Sequence, residues 1–481
     1  MYGFRTFFAV CLCVFIPAAG FAGNSMDDYK HEAIEWIEAH HEMFEVAALS
    51  IHGFAETALT EYRSAEYLAG MLETEGFTVE RGVAAMPTAF VATFGSGHPI
   101  IGILAEYDAL PGLSQKPGIT NKEPVREGEP GHGCGHNLFG SGSSAAAMAI
   151  KSVMKEHSLA GTVKLFGCPA EETVVGKVYM ARDGVFDGLD VCLTWHPSEK
   201  NRVNLGSTLA MNNFEVVFRG KTAHGAADPW NGRSALDAVE LMNSGVNYLR
   251  EHVKETVRIH YIIPDGGTAP NIVPDYARVW YFVRDARREG VDEVYERVLK
   301  CAEGAALMTG TTMEVNLITG VYEYLPNHVL SSVVDRNFRM IGTPQFSGEE
   351  QAFAREMQRN LEIEEKGLKT EIEEFEEPKK LTGTGSTDVA EVSWLIPTSS
   401  QLEIAAKPEG APGHSWAVTS CSGSSIGLKV MLTASKILAA TGIEILMDTD
   451  IVKKAHKEFE KKTEGFTYKS SVPEGQKPPV P

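Results

Sequence analysis

The sequence predicts an α/β fold: a larger domain on a mostly parallel sheet, split by a small inserted α+β domain. Three observations lead there. Short apolar runs alternate with helical stretches, the pattern of a mostly parallel sheet. Several of those runs stop at a cluster of Glu, Cys, His and Gly, as at the carboxyl ends of strands in open α/β sheets. From about Leu209 to Gly320 the spacing changes to exposed-face strands and amphipathic helices. The boundaries follow as residues 23–208 and 321–450 for the two parts of the larger domain, 209–320 for the insert and 451–481 for a C-terminal extension.

Residues 1–22 read as a signal peptide. Arg5 supplies the charge, residues 7–16 the apolar run, Pro17 its end, and Gly20 and Ala22 the small residues before a cleavage site. That predicts a periplasmic or secreted protein with no stable membrane span once the leader is removed. An uncleaved anchor is a second reading, and a start at Met26, giving a cytoplasmic protein, a third. Over residues 27–75 Trp36, Ile37, Met43, Phe44, Tyr62, Leu68, Met71 and Leu72 recur at helical spacing, and Gly76 is the stop. Strands follow at 77–81, 89–94 and 100–104, the last running into Ala105-Glu106-Tyr107-Asp108-Ala109-Leu110-Pro111-Gly112. After a polar loop through Gly131, a small-residue helix begins near Ser141. Strand 162–167 runs into Pro169-Ala170-Glu171-Glu172, and strand 191–195 into His196-Pro197. The insert reads as strand 211–219, helix 233–250, strands 256–263 and 277–284, helix 291–308 and strand 313–319. The acidic stretch 349–377 mixes Lys and Arg with apolar residues at helical spacing and reads as a solvated helical face. Strand 402–404, a long helix over 424–441 and a loose Pro-rich end at 470–481 complete the chain, without internal repeats.

Composition bounds the function. The 481 residues carry 44 basic and 64 acidic side chains, a net charge of −20. That balance argues against a nucleic-acid partner, which needs a surplus of Lys and Arg. A small anionic substrate stays open, provided that a local positive pocket meets it. With 43% apolar and 22% charged residues the chain is of ordinary globular composition. Beyond the leader five Cys remain (Cys134, Cys168, Cys192, Cys301 and Cys421), too few and too odd for a disulfide framework.

Four clusters carry chemistry. In Gly131-His132-Gly133-Cys134-Gly135-His136-Asn137, a thiolate and an imidazole two residues apart can converge on one metal from a tight turn. In Glu171-Glu172, one carboxylate can ligate while its neighbour acts as general base. His196 follows a strand, and His414 sits in Gly413-His414-Ser415-Trp416 ahead of the last long helix. Taken singly, each has a plain structural reading: a buried thiol in a turn, a solvated acidic pair, a core or capping histidine. Together they offer enough ligands for two adjacent divalent ions. Other motifs fail. Gly140-Ser141-Gly142-Ser143-Ser144-Ala145 follows a polar loop rather than the strand that a dinucleotide site needs, and Glu215 stands where a P-loop ending in Gly220-Lys221-Thr222 requires Gly. His-Glu-x-x-His does not occur.

In this order the clusters resemble the M20 family of metallopeptidases and amidohydrolases, in its aminoacylase-like branch with a Cys in the site, and within it the p-aminobenzoyl-glutamate hydrolases. The resemblance covers roughly residues 27–450. It rests on residues 105–112, the Gly-Cys-Gly-His-Asn cluster, Glu171-Glu172, Gly220-Lys221-Thr222-Ala223-His224, residues 233–242 and 266–275, and Gly413-His414. Asn137, where many members have Asp, matches that branch.

The resemblance implies a zinc-exopeptidase-like catalytic domain with a lid and dimerisation insert. It also implies a site with two metal ions (Zn or Mn) held by Cys134, His136, Glu172, His196 and His414, with Cys134 shared. Glu171 would be the base that takes a proton from a water activated by the ions and passes it to the leaving nitrogen. His224 would reach the partner's site in a homodimer and stabilise the oxyanion. Asn271, Arg284 and Arg233 would hold a substrate carboxylate. The expected substrate is a small N-acyl or N-aroyl amino acid. The same fold also allows a dipeptidase or carboxypeptidase, or a catalytically silent subunit working with a companion.

Overall fold

The computed structural model describes residues 3, 25–377, 383 and 385–481. The leader read over residues 1–22 lies, residue 3 apart, outside them. The helical stretch from residue 27 to 75 is three helices: α1 (Met26–Ala39), α2 (His41–Phe54) and α3 (Tyr62–Thr74). Ser25 opens α1 with a capping box, and α2 ends on Ala55 in the left-handed region. Gly76, at φ +89°, follows α3 as the stop.

Strands β1 (Thr78–Arg81), β2 (Phe90–Ser96) and β3 (Ile100–Glu106) lead to α4 (His136–His157), and β4 (Gly161–Cys168) to α5 (Gly176–Arg182). β5 (Val191–Leu193), β6 (Trp195–Ser198) and β7 (Arg202–Asn204) close this first part. The main sheet has the order β1-β2-β4-β3-β5. β3 pairs in parallel with both β4 and β5, while β1 and β2 extend the sheet in antiparallel fashion. The parallel strands β3 and β4 and the short run β5–β6 end where the predicted clusters lie.

Helix α4 starts five residues before Ser141, and Gly135, at φ +83°, is its N-cap. The small residues of α4 serve packing. A Cβ on Gly140 would stand 2.7 Å from the Glu106 carbonyl oxygen, so only glycine lets the helix lie this close to β3.

The insert follows as β8 (Ala210–Arg219), α6 (Ala235–Leu249), β9 (Arg258–Asp265), β10 (Tyr276–Asp285), α7 (Arg288–Thr309) and β11 (Thr312–Val321). Its antiparallel sheet has the order β11-β8-β10-β9. It has its own core, in which Phe214, Val216, Val279, Tyr281 and Val283 pack with apolar residues of α6 and α7.

The chain returns through α8 (His328–Ile341), α9 (Gly348–Asn360), α10 (Val389–Ser393), β12 (Gln401–Ala405), α11 (Trp416–Ser422), α12 (Ser425–Met447) and α13 (Thr449–Lys462). β12 pairs in parallel with β6 and antiparallel with β7. α12 is long and apolar enough to cross a membrane, yet most of it is buried in the core.

Two expectations need correction. The acidic stretch is helical only to Asn360; Glu362 (φ +57°) and Gly367 (φ +82°) turn the chain out of helical geometry. The Pro-rich end is docked, not loose. Val472 is buried, the Ser471 hydroxyl donates to the Gly320 carbonyl, and the Lys477 carbonyl accepts from the Tyr179 hydroxyl. Prolines lack an N–H that would need a partner, so this segment docks through its carbonyls and side chains.

Candidate active site and metal centre

The predicted ligands converge. Sulfur, imidazole and carboxylate atoms form two groups within 4.8 Å, Cys134–His136–His196 and Cys134–Glu172–His414, with Cys134 common to both. A third, Glu106–His136–Glu171, adjoins them. The Cys134 Sγ lies 3.5 Å from His196 Nε2, and His414 Nε2 lies 3.4 Å from Glu172 Oε2. His136 is the first residue of α4 and His196 lies within β6, so these two ligands stand on regular elements, not on loops. His132, from the same glycine-rich segment, is buried with Nε2 3.0 Å from the Ile51 carbonyl oxygen, outside the cluster.

The tautomers are fixed from behind. His196 Nδ1 lies 2.7 Å from the Pro197 carbonyl, which can only accept, so Nδ1 carries the proton and Nε2 offers its lone pair to the cluster. His136 Nδ1 donates to Asp108 Oδ1 at 2.8 Å, leaving Nε2 inward. Asp108 Oδ2 also accepts the Glu172 N–H at 2.9 Å, tying the β3 loop to the carboxylate pair.

That pair sits on a single 3₁₀ turn bounded by Ala170 (φ +58°) and Val174 (φ +50°), and His414 is likewise at φ +48°. Left-handed geometry at a β-branched residue costs about 1–3 kcal/mol. Part of the chain's left-handed strain thus stands at the two carboxylates and His414. The Ala170 N–H donates to the buried Glu61 carboxylate at 2.9 Å, which pins the turn.

The electrostatics call for cations. Burial raises the proton affinity of both Glu171 and Glu172; Glu106 beside Glu171 and Asp108 beside Glu172 add to it. Burial also pushes the Cys134 thiol far up, reinforced by Glu172. Burial would strip His136 of charge, but Cys134 and Asp108 outweigh it, so a proton on His136 partly meets the demand for positive charge. Buried His136 Nε2 and Glu172 Oε1 have no hydrogen-bond partner among the described residues. A cation that displaces the extra His136 proton would meet that inward nitrogen, an unpartnered carboxylate oxygen, a buried thiol and an excess of carboxylates, the donor set of a divalent-metal centre.

Sequence reasoning missed the supporting shell. Lys177, on α5, is fully buried, with Nζ 2.5 Å from Asp388 Oδ1 and 2.7 Å from Glu106 Oε1. Glu106 Oε2 lies 3.3 Å from His136 Nε2. Glu106 and Asp108 sat in a segment already singled out; Lys177, Asp388 and Glu61 carried no local signal.

The remaining predicted residues lie elsewhere. His224, exposed on the insert, accepts the N–H groups of Ala226 and Ala227 at Nδ1, and bridges to Ile272 beside the exposed Asn271. Arg233 bonds the carbonyls of Trp230 and Gly232. Arg284 is the one that reaches the larger domain, donating to the Ser386 hydroxyl at 3.1 Å.

Residues 102–440 match Peptidase family M20/M25/M40. This chain belongs to that family. Across 468 residues it is 39% identical to one of the subunits of p-aminobenzoyl-glutamate hydrolase from Escherichia coli K12, covering 92% of this chain and 97% of the relative. It is 29% identical to the Xaa-Arg dipeptidase of Mus musculus over 444 residues, 89% of this chain and 92% of that one. Another subunit of the same E. coli hydrolase is 28% identical over 246 residues, 48% of this chain and 55% of that relative. Among solved structures, the aminobenzoyl-glutamate utilization protein of Klebsiella pneumoniae has a TM-score of 0.58 at 17% identity, covering 88% of this chain and 98% of that one. A dinuclear metal-binding M20 peptidase of Bacillus subtilis has a TM-score of 0.54 at 18% identity, over 85% and 99% of the two chains. The M20 chain is a hydrolase of the amidohydrolase type, and its structure gathers candidate metal ligands.

Proposed function

We propose that this protein hydrolyses the amide of an N-aroyl or N-acyl amino acid, of which p-aminobenzoyl-glutamate is the type, with two divalent ions, zinc or manganese. The observation that carries the reading is the pair of ligand groups sharing Cys134 beside Glu171. Cys134, His136 and His196 would hold one ion; Cys134, Glu172 and His414 the other. Bound there, such a pair supplies Lewis acidity to the scissile carbonyl and acidifies water. A thiolate ligand favours zinc, while the His and Glu ligands also admit manganese.

The chain's own groups do the rest. Glu171, with Oε2 3.8 Å from His136 Nε2 and a raised proton affinity, is fitted to take a proton from the attacking water and return it to the leaving nitrogen. His224 accepts two backbone N–H groups at Nδ1, so its proton is on Nε2, facing outward as a donor. In a homodimer the partner's His224 would offer that donor to the developing oxyanion. Arg284, with Asn271 or Arg233 as alternates, would hold the substrate carboxylate. The two E. coli relatives are named as different subunits of one hydrolase, which supports a companion subunit as the alternative assembly.

The test is a metal analysis with an amide panel: p-aminobenzoyl-glutamate, N-acetyl amino acids and dipeptides, each with Zn²⁺ or Mn²⁺. The aroyl glutamate is expected to be cleaved fastest. If every amide stays intact the reading fails; if only dipeptides are cut, the dipeptidase alternative replaces it.

A further inference from the structure

The alternation of β10 divides its side chains cleanly. Ala277, Val279, Tyr281 and Val283 are buried in the insert core, so Arg278, Trp280, Phe282 and Arg284 fall on the opposite, open face of the sheet. Across the strands, Phe282 stands beside Asn213 and His260, and Arg284 beside Met211 and Arg258. One side of this face meets the larger domain. Asn213 and Thr319 are buried, and the Thr319 hydroxyl donates to the Val174 carbonyl at 2.7 Å, two residues beyond Glu172. Phe282 packs against the core of the larger domain. Arg284 bonds Ser386, two residues before Asp388, the carboxylate that pairs with Lys177.

The chemistry of this face is uneven. Trp280 and Phe282 are half-buried rings 5.6 Å apart and nearly perpendicular, with the Trp280 indole N–H held by Asn213 at 2.6 Å. The Arg284 guanidinium lies 5.4 Å from the Phe282 ring centroid. It has no carboxylate partner among the described residues, and residues 378–382 and 384 include no Asp or Glu. Burial alone acts on its charge, and its Nε is buried and unpartnered. On the same sheet end, Arg250 and Arg258 donate to backbone carbonyls of residues 255–259 and, for Arg250, to Asn247. A positive corner thus stands on a chain of net charge −20. An uncompensated, partly desolvated guanidinium is matched by a carboxylate, and half-buried aromatic rings that still reach solvent by a flat π-system.

We propose that Trp280, Phe282 and Arg284 form a specificity platform that selects an aromatic amino-acid conjugate, its ring on Phe282 and Trp280 and its carboxylate on Arg284. This deepens the amidohydrolase reading and rests on it. Trp280 and Phe282 are the specificity-determining residues. A small acyl conjugate engages Arg284 alone and leaves both rings uncovered.

Binding separates this claim from turnover. In the zinc-loaded protein carrying Glu171→Gln, titration calorimetry compares benzoyl-glutamate, cyclohexanecarbonyl-glutamate and acetyl-glutamate. The flat ring is expected to bind at least tenfold more tightly than its saturated counterpart. Adding Phe282→Leu or Trp280→Leu erases that ratio and leaves acetyl-glutamate within twofold, while Arg284→Met weakens all three. Equal affinity for the flat and saturated rings overturns the platform without any substitution on β10. Wild-type protein that binds benzoyl-glutamate selectively but cleaves no amide refutes the hydrolase reading and leaves the platform standing.

Discussion

Lys177→Met tests the supporting shell. The ammonium is fully buried between Asp388 and Glu106, themselves almost wholly buried, at 2.5 and 2.7 Å. Burial would push the Lys177 proton off, but the two carboxylates outweigh it and hold its pKa well above the ordinary lysine value. Methionine fills nearly the same shape, so the cavity penalty is small. What is lost is the counter-charge. Removing one partner of a buried pair costs about 3–5 kcal/mol, because the other charge is left stranded. Asp388, which burial already raises to about 6, can take up a proton at moderate cost, so the lower end, about 3 kcal/mol, is expected. The assay is urea unfolding at pH 8. The Lys177→Met/Asp388→Asn double variant should recover about half of the loss, since only Glu106 then remains unpaired. A Lys177→Met loss under about 1 kcal/mol, or a double variant no more stable than the single one, would refute the argument.

Three further outcomes follow from the same geometry. The buried Glu391 carboxylate accepts the Tyr322 N–H and the Tyr468 hydroxyl, and burial pushes its pKa to about 7. The native state therefore keeps this proton longer than the unfolded chain does, so its contribution is full below about pH 4 and is lost as pH rises through 7. Glu391→Gln should remove about 3 kcal/mol of pH dependence between pH 4 and 8, read from unfolding midpoints across that range. Asp108→Asn weakens the hold on His136 Nδ1 and should lower zinc affinity about 10–100-fold by chelator competition, while the fold is kept. Deleting residues 470–481 should cost about 2 kcal/mol of stability through loss of buried Val472, whereas a loose tail would cost nothing.

The parts of this molecule that sequence exposes are those whose signal is local. Apolar strands that run into Glu171-Glu172 and His196, and the Gly-rich cluster around Cys134 and His136, are local signals, and the structure gathers these residues. The insert, with period-two strands and amphipathic helices, was legible element by element. Pairings between distant segments were not. Asp108 reaches His136 across 28 residues, and Lys177 reaches Asp388 across 211, so neither partner marks the other in the chain. The start of α4 was hidden because Gly133, Gly135 and Asn137 spell a turn, whereas Gly135 serves as a left-handed N-cap. Prolines at the C-terminus suggested looseness, but the carbonyls around them were free to accept bonds from Tyr179 and Arg182.

The central claim is that Glu171 moves the proton while Cys134, His136, Glu172, His196 and His414 hold the metals. The most direct measurement is the Glu171→Gln variant, assayed for p-aminobenzoyl-glutamate cleavage and for metal content together. Turnover should fall at least about 100-fold, the scale of general-base catalysis, with two ions still bound per chain. Unchanged turnover, or loss of activity only together with loss of metal, would contradict the account.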